Sequence, residues 1–219
     1  MCMEWAIFTP MNLVFDLDNT LINRNKAYQK WLASFLKIEN DNFFDWKIIL
    51  EKDNWGYTPR EFFYKWLINN FSLDFTPDLL INKCANELHF HIDKDPKTIQ
   101  LLKKLSKNHQ LFIATNGGEK NQMNKLKKSG LLEIINSKNI FISEKMKCKK
   151  PNKQFFDMIE KCISNTQKTV MIGDDPINDV LGAKQNNWET IWLKFNRELE
   201  VNTDFEIQNI NELESLLYI

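Results

Sequence analysis

Four short stretches carry residues whose types and spacing could do chemistry. Val14-Phe15-Asp16-Leu17-Asp18-Asn19-Thr20-Leu21 sets two carboxylates two residues apart, just where an apolar run stops. Thr115-Asn116-Gly117 closes a second apolar run, and Lys149-Lys150-Pro151 lies in a basic stretch. Gly173-Asp174-Asp175 closes a further run, with Asp179 following. Asp16, Asp18 and Asp174 gathered at one edge would repel strongly unless a hard divalent cation neutralised them. Mg²⁺ suits such a site, because it takes oxygen ligands and favours one or two carboxylates plus a substrate phosphate. A metal, a carboxylate nucleophile, a hydroxyl donor and a lysine together make a phosphoryl-transfer site.

Each stretch alone has a plainer reading. A DxD at a strand end is often a turn or cap, and Asn-Gly favours positive φ in turns. Asp174-Asp175-Pro176 could be a helix N-cap and dipole partner. Lys145, Lys147, Lys149, Lys150 and Lys153 could be a solvated face; Lys150, beside Pro151, is the expected functional member, with Lys149 next if the register slips by one. The chemical reading needs a fold that brings the four together.

The elements between them supply one. Apolar runs without alternation at 13–15, 111–114, 140–142, 170–172 and 190–193 read as strands covered on both faces. Amphipathic segments at 97–107 and 152–162 separate them, with Pro96 and Pro151 as early helix residues and Gly130 and Asn187 as left-handed helix ends. This alternation predicts an α/β fold, a parallel doubly wound sheet with helices on both faces. In such sheets ligands gather at the carboxyl ends of the strands, where three of the stretches fall, and a later loop offers Lys149-Lys150-Pro151. Residues 24–95 break the rhythm with helix patterns at 25–37, 42–50, 59–69 and 77–88 and hold more than half of the aromatic residues. Bulky rings at helical spacing fill the small interior of such an insert; Trp55-Gly56-Tyr57, between two helix patterns, is the stretch set apart for a substrate role. The expected organisation is an α/β core at 11–23 and 96–219, a helical insert at 24–95 and a dispensable extension at 1–10.

The 29 basic and 29 acidic side chains cancel, so no global field favours nucleic acid or an anionic membrane. No apolar run approaches the roughly 20 residues of a membrane span. Cys2, Cys84, Cys148 and Cys162 form no CxxC pair, which suits a reducing cytoplasm. The expectation is a cytoplasmic monomer or homodimer acting on a small molecule. His89 and His91 read as a solvated stretch, and Asp53, Asn54 and Gly56 do not complete a calcium loop.

DxDxT at 16–20, TN at 115–116, KP at 150–151 and GDDxxxD at 173–179 resemble the four ordered motifs of the haloacid dehalogenase (HAD) superfamily, and the insert resembles its helical C1 cap. FDLDNTL, TNGG, KKPNKQFF and IGDDPINDVLGA are most similar to small cytosolic hydrolases that include nucleotidases and sugar-phosphate phosphatases. The resemblance implies a Mg²⁺-dependent phosphatase for a small soluble phosphomonoester. Asp16 would be the nucleophile that forms an aspartyl-phosphate, and Asp18 the general acid and base, its backbone carbonyl touching the metal. Thr115, the Asn116 amide and Lys150 would hold the phosphate. Asp16 and Asp174 would bind Mg²⁺ through their carboxylates, with Asp175 and Asp179 orienting metal waters or Lys150. Asp18 also separates the chemistries, since dehalogenases lack the second Asp and a halide leaves without a proton. Lys147 and Asn187 stand where relatives often carry glycine. The alternatives are a phosphomutase, a non-catalytic binding protein and a haloacid dehalogenase.

Overall fold

The computed structural model describes residues 9–37, 45–163, 166–195 and 199–217. Residues 1–8 of the expected extension, Cys2 and the start of the expected helix at 42–50 lie outside them. The chain divides into two compact units, Met1–Ile22 with Lys94–Ile219 and Asn23–Asp93.

The first unit is built on six parallel strands: β1 (Asn12–Phe15), β2 (Gln110–Thr115), β3 (Ile140–Ile142), β4 (Thr169–Gly173), β5 (Glu189–Leu193) and β6 (Phe205–Ile207). Their order across the sheet is β3-β2-β1-β4-β5-β6. The five expected strands are all present. β6 is an addition: among the described residues it pairs only with β5, and its central Glu206 is exposed with Phe205 partly covered, so the continuous apolar signal of a central strand is missing. Every residue of β1 is buried, because strands flank it on both sides. Phe15 pairs with Ile113 on one side and Ile172 on the other, which leaves Asp16 level with the tips of β2 and β4. Register alone therefore brings residues 16, 115 and 174 to one edge.

Helices cover the sheet. α5 (Pro96–Leu105), after the four helices of the insert, turns Thr98, Leu101, Leu102 and Leu105 inward and is capped by Asp95. After α6 (Glu119–Ser129) and the short α7 (Ser143–Met146), α8 (Lys153–Glu160) buries Phe155, Phe156 and Ile159 against Val14, Phe112, Phe141, Met171 and Trp188. Full burial of each such side chain stabilises by about 1.5–3 kcal/mol. Pro151 does not start α8, contrary to the sequence reading. Asn152 is the cap, accepting from the Gln154 N–H, and Pro151 precedes it after a cis peptide bond. The helix expected near Pro176 is a π-helical turn, Pro176–Leu181, before α9 (Gly182–Lys184). Gly130, Asn187 and Lys147 have φ of 83°, 57° and 53°, so Lys147 holds the left-handed backbone that glycine would adopt more cheaply. α10 (Leu213–Leu216) closes the chain.

The second unit contains α1 (Arg24–Phe35), α2 (Trp46–Asp53), α3 (Arg60–Phe71) and α4 (Pro77–Glu87). α2 runs on to Asp53, beyond its expected end, and Pro59 precedes α3 instead of opening it, while Thr58 donates to the Lys52 carbonyl. Tyr28, Trp31, Phe63 and Tyr64 are buried and stack edge to face or tilted, so these four rings fill the interior. Phe62 and Phe90 are exposed at 70% and 63%. Asp53 is fully buried and takes the guanidinium groups of both Arg24 and Arg60, so this carboxylate braces three helices. Trp55 and Gly56 turn between α2 and α3 with φ of 58° and 98°. Among the described residues no helix is long and apolar enough to cross a membrane.

Candidate active site

Asp16 leaves β1 with its N–H still donating to the Ile172 carbonyl at 2.9 Å, so the sheet fixes its backbone. Its Oδ1 accepts from Lys150 Nζ at 2.7 Å. The same ammonium donates to Asp179 Oδ1 at 2.6 Å and to the Ala114 carbonyl at 2.7 Å. A lysine has three N–H donors, and here each has an acceptor. It is Lys150, not Lys149, that makes these contacts, and it is buried at 1% exposure. Its backbone is clamped by Asn116, whose Nδ2 donates to the Lys150 carbonyl and whose Oδ1 accepts from the Lys150 N–H, both at 3.0 Å. The Asn116 side chain thus holds the lysine loop, and any phosphate contact from residue 116 falls to its backbone.

Asp179 Oδ2 accepts from the Asp175 N–H at 3.0 Å, so both its oxygens are engaged. Asp175 caps the π-helical turn, accepting from the N–H groups of Ile177 and Asn178. Asp174 is fully buried, its carbonyl accepting from Trp192 Nε1 at 3.0 Å, with Thr20 Oγ1 3.5 Å from its Oδ1. Asn19, just after the two carboxylates, turns the loop with φ of 60°. One oxygen each from Asp16, Asp174 and Asp179 lie within 4.8 Å of one another. Asp18 is outside that group.

The electrostatics follow from one cation serving two anions. Burial pushes the Asp16 carboxyl up to about 7; Lys150 pulls it back, and Asp179 and then Asp18 push it further up. Burial raises Asp179 as well. Burial by itself would lower the Lys150 ammonium, but Asp16 and Asp179 outweigh it and hold it above the ordinary lysine value. The lysine gains from two carboxylates while neither carboxylate is fully neutralised. Asp16 Oδ2 is buried without a hydrogen-bond partner, although each buried polar oxygen normally has one. An orphaned carboxylate oxygen beside a second buried carboxylate, in a site with surplus negative charge, fits a hard divalent cation.

Gly173 is the residue that permits this packing. A Cβ there would stand 2.2 Å from Asp179 Oδ2. We expect Gly173→Ala to push Asp179 off Lys150, destabilise the fold by about 1–3 kcal/mol and lower turnover. Thermal melts and a phosphatase assay on the purified variant check this; an unchanged melt would show that the crowding is relieved elsewhere.

Asp18 is placed differently from the other acids. Lys125 Nζ donates to both its oxygens at 2.8 and 2.7 Å, and Gln122 Nε2 to Oδ2 at 3.0 Å. Gln122 Nε2 also donates to Thr115 Oγ1 at 2.6 Å and to the Asn116 carbonyl at 3.2 Å. The sequence reading missed Gln122 and Lys125, and it missed Ser143 and Glu144, which hold the loop after β2 by accepting from the N–H groups of Gly117 and Glu119. Gly117, at φ 141°, lets that loop lie against Gln122, whose side chain a Cβ would meet at 3.1 Å.

A parallel sheet with acids at the tips of adjacent strands and a buried lysine between them defines a hydrolase core of the doubly wound class. The chain belongs to the haloacid dehalogenase-like hydrolase family, which it matches over residues 13–193. It is 28% identical over 200 residues to the pyrimidine 5'-nucleotidase PynA of Streptococcus pneumoniae, covering 82% of each chain. It is 24% identical over 212 residues to a glyceraldehyde 3-phosphate phosphatase of Pyrococcus furiosus, covering 89% of this chain and 85% of the relative. Among solved structures, the HAD-hydrolase YfnB of Bacillus subtilis bound to magnesium superposes with a TM-score of 0.78 at 23% identity, covering 96% of this chain and 99% of that one.

Proposed function

We propose that this protein is a Mg²⁺-dependent phosphatase for a small soluble phosphomonoester, working through an aspartyl-phosphate on Asp16. One observation carries the reading: Lys150 spends its three donors on Asp16, Asp179 and a carbonyl, while the other Asp16 oxygen is left bare beside Asp174. Asp16 and Asp174 would supply the carboxylate ligands to Mg²⁺, with the Asp18 carbonyl beside them. When bound, the ion would offset the negative charge of the phosphoryl oxygens.

Asp16 then attacks phosphorus, and the P–O bond to the leaving group breaks as that oxygen takes a proton from Asp18. Asp18, now a carboxylate, takes a proton from water; the water attacks phosphorus and frees Asp16 and inorganic phosphate. Thr115 and residue 116 hold the phosphoryl group, Lys150 offsets the charge on Asp16 and on that group, and Asp179 keeps Lys150 oriented. The helical unit is proposed as a C1 cap that reads the leaving group. The nucleotidase and triose-phosphate phosphatase among the relatives support nucleoside monophosphates and sugar phosphates as the substrates to try first.

The test is a panel of such phosphomonoesters and 2-haloacids, assayed for free phosphate, halide and isomeric phosphate with Mg²⁺ or with EDTA. Phosphate release from a subset, lost in EDTA and restored by Mg²⁺, is the expected result. Halide release, an isomerised phosphate in place of a free one, or no turnover of any compound would contradict it.

A further inference from the structure

The inward stripe of α6 breaks the mainly apolar pattern of the other long helices of the sheet unit, α5 and α8. Its buried residues are Gln122, Lys125, Leu126 and Ser129, spaced i, i+3, i+4 and i+7. That spacing is the apolar stripe of a helix packed on a core, yet here three of the four are polar. Burying an ammonium and an amide is costly unless each is paired, and apolar residues would pack this face at lower cost. Such local violations mark functional positions.

Both buried groups point at one target. Lys125, 4% exposed along its side chain, binds the Asp18 carboxylate at both oxygens. Gln122 binds one of the same oxygens and, through the same nitrogen, the Thr115 hydroxyl and the Asn116 carbonyl. A carboxylate and a carbonyl are obligate acceptors, so the nitrogen of the amide must be the atom that faces them.

We infer that Gln122 and Lys125 are positioning residues that fix the Asp18 carboxyl group in register with the phosphate-holding tip of β2. This rests on the proposed function, in which Asp18 carries the proton of the leaving group. Held at both oxygens, Asp18 loses the rotational freedom about its side chain that an exposed aspartate would keep. The shared Gln122 amide sets its distance from Thr115, so proton donor and phosphoryl group keep one geometry. Misplacement of a proton carrier by about 1 Å is enough to cost on the order of 100-fold.

A purely structural lysine and a positioning lysine differ in leaving-group dependence. Protonation matters little for p-nitrophenolate and much more for phenolate, a stronger base. kcat/KM for p-nitrophenyl phosphate and phenyl phosphate is measured on the full chain with Mg²⁺ for wild type, Asp18→Asn, Lys125→Met, Lys125→Arg and Gln122→Met. Asp18→Asn should raise the ratio of p-nitrophenyl to phenyl rates about tenfold or more, Lys125→Met should raise it comparably, and Lys125→Arg should restore most of it. Gln122→Met, which keeps the ammonium, should raise the ratio less, and it carries the test if Lys125→Met does not fold.

Equal losses on both probes in Lys125→Met, or no loss on either, would overturn the inference while leaving the proposed function intact, provided Asp18→Asn discriminates. If Asp18→Asn does not discriminate, or if wild type hydrolyses neither probe, the role given to Asp18 fails and the inference falls with it.

Discussion

Asp16→Asn should lower Mg²⁺-dependent turnover of p-nitrophenyl phosphate by about 10⁴-fold or more, because it removes the attacking oxygen itself and no neighbour can replace it. The substitution is nearly isosteric, so the pocket should keep its shape. Its effect on stability should have the opposite sign. Asp16 in the folded protein is pushed up to about 7 from an unfolded value of 3.8. Between those limits the folded state holds more protons than the unfolded one, so its stability falls as pH rises. The penalty is absent below about pH 4, grows through the window and is complete above about 7, where it is on the order of a few kcal/mol. Without metal, then, Asp16→Asn should melt above wild type at pH 8 and lose that advantage by pH 4. Melts in EDTA at the two pH values, beside the kinetic assay, check both halves. A dead variant that is also unfolded would say nothing about nucleophilicity, and this design excludes that outcome. A variant that retains wild-type turnover would end the assignment.

Lys150→Met should behave in the reverse way. It removes the ammonium bonded to both Asp16 and Asp179 and strips a donor from the Ala114 carbonyl. Breaking a buried ion pair from one side costs about 3–5 kcal/mol, which lowers the melting temperature of a chain of this size by roughly 10 °C. The loss should be largest at high pH, where both carboxylates would be charged, and should shrink as acid neutralises them. Adding Asp16→Asn to Lys150→Met should recover part of the stability, since one of the stranded carboxylates is gone. Activity should fall with either change. Differential scanning calorimetry of the two single variants and the double, across pH, measures the coupling. Strictly additive effects would mean that the lysine and the acids do not act as one unit.

Most of the fold could be read from the sequence because a central parallel strand announces itself. Leu13, Val14 and Phe15, or Val170, Met171 and Ile172, are apolar on both faces and stop at a charged or turn residue. β6 gave no such signal because Glu206 at its centre is exposed and Phe205 is only partly covered, whereas β3 at the other edge of the sheet is buried throughout and reads as an apolar run. Within the site, Asp16 and Asp174 stood out because they lie at strand ends that the register of β1 against β4 brings together. Lys150 stood out because of Pro151 beside it, although its place is set by the Asn116 side chain holding its loop. Asp179 was expected to orient metal waters or Lys150; it bonds Lys150 and, beyond that expectation, one of its oxygens lies within 4.8 Å of those of Asp16 and Asp174. Gln122 and Lys125 stayed hidden for a different reason. Glu119-Lys120-Asn121-Gln122-Met123-Asn124-Lys125 reads as a solvated helix, and nothing in its composition says that its polar side faces inward. The i, i+3, i+4, i+7 spacing was present, but only the fold shows that it is buried.

The claim on which the rest depends is that Asp16 becomes covalently phosphorylated. The direct measurement is acid quenching of the enzyme during turnover, followed by peptide mapping by mass spectrometry. One phosphoryl group on the peptide that contains Asp16, absent from Asp16→Asn and accumulating in Asp18→Asn, is the predicted result. A phosphoryl group on another side chain, or steady turnover with no adduct on the protein under any quench, would contradict it.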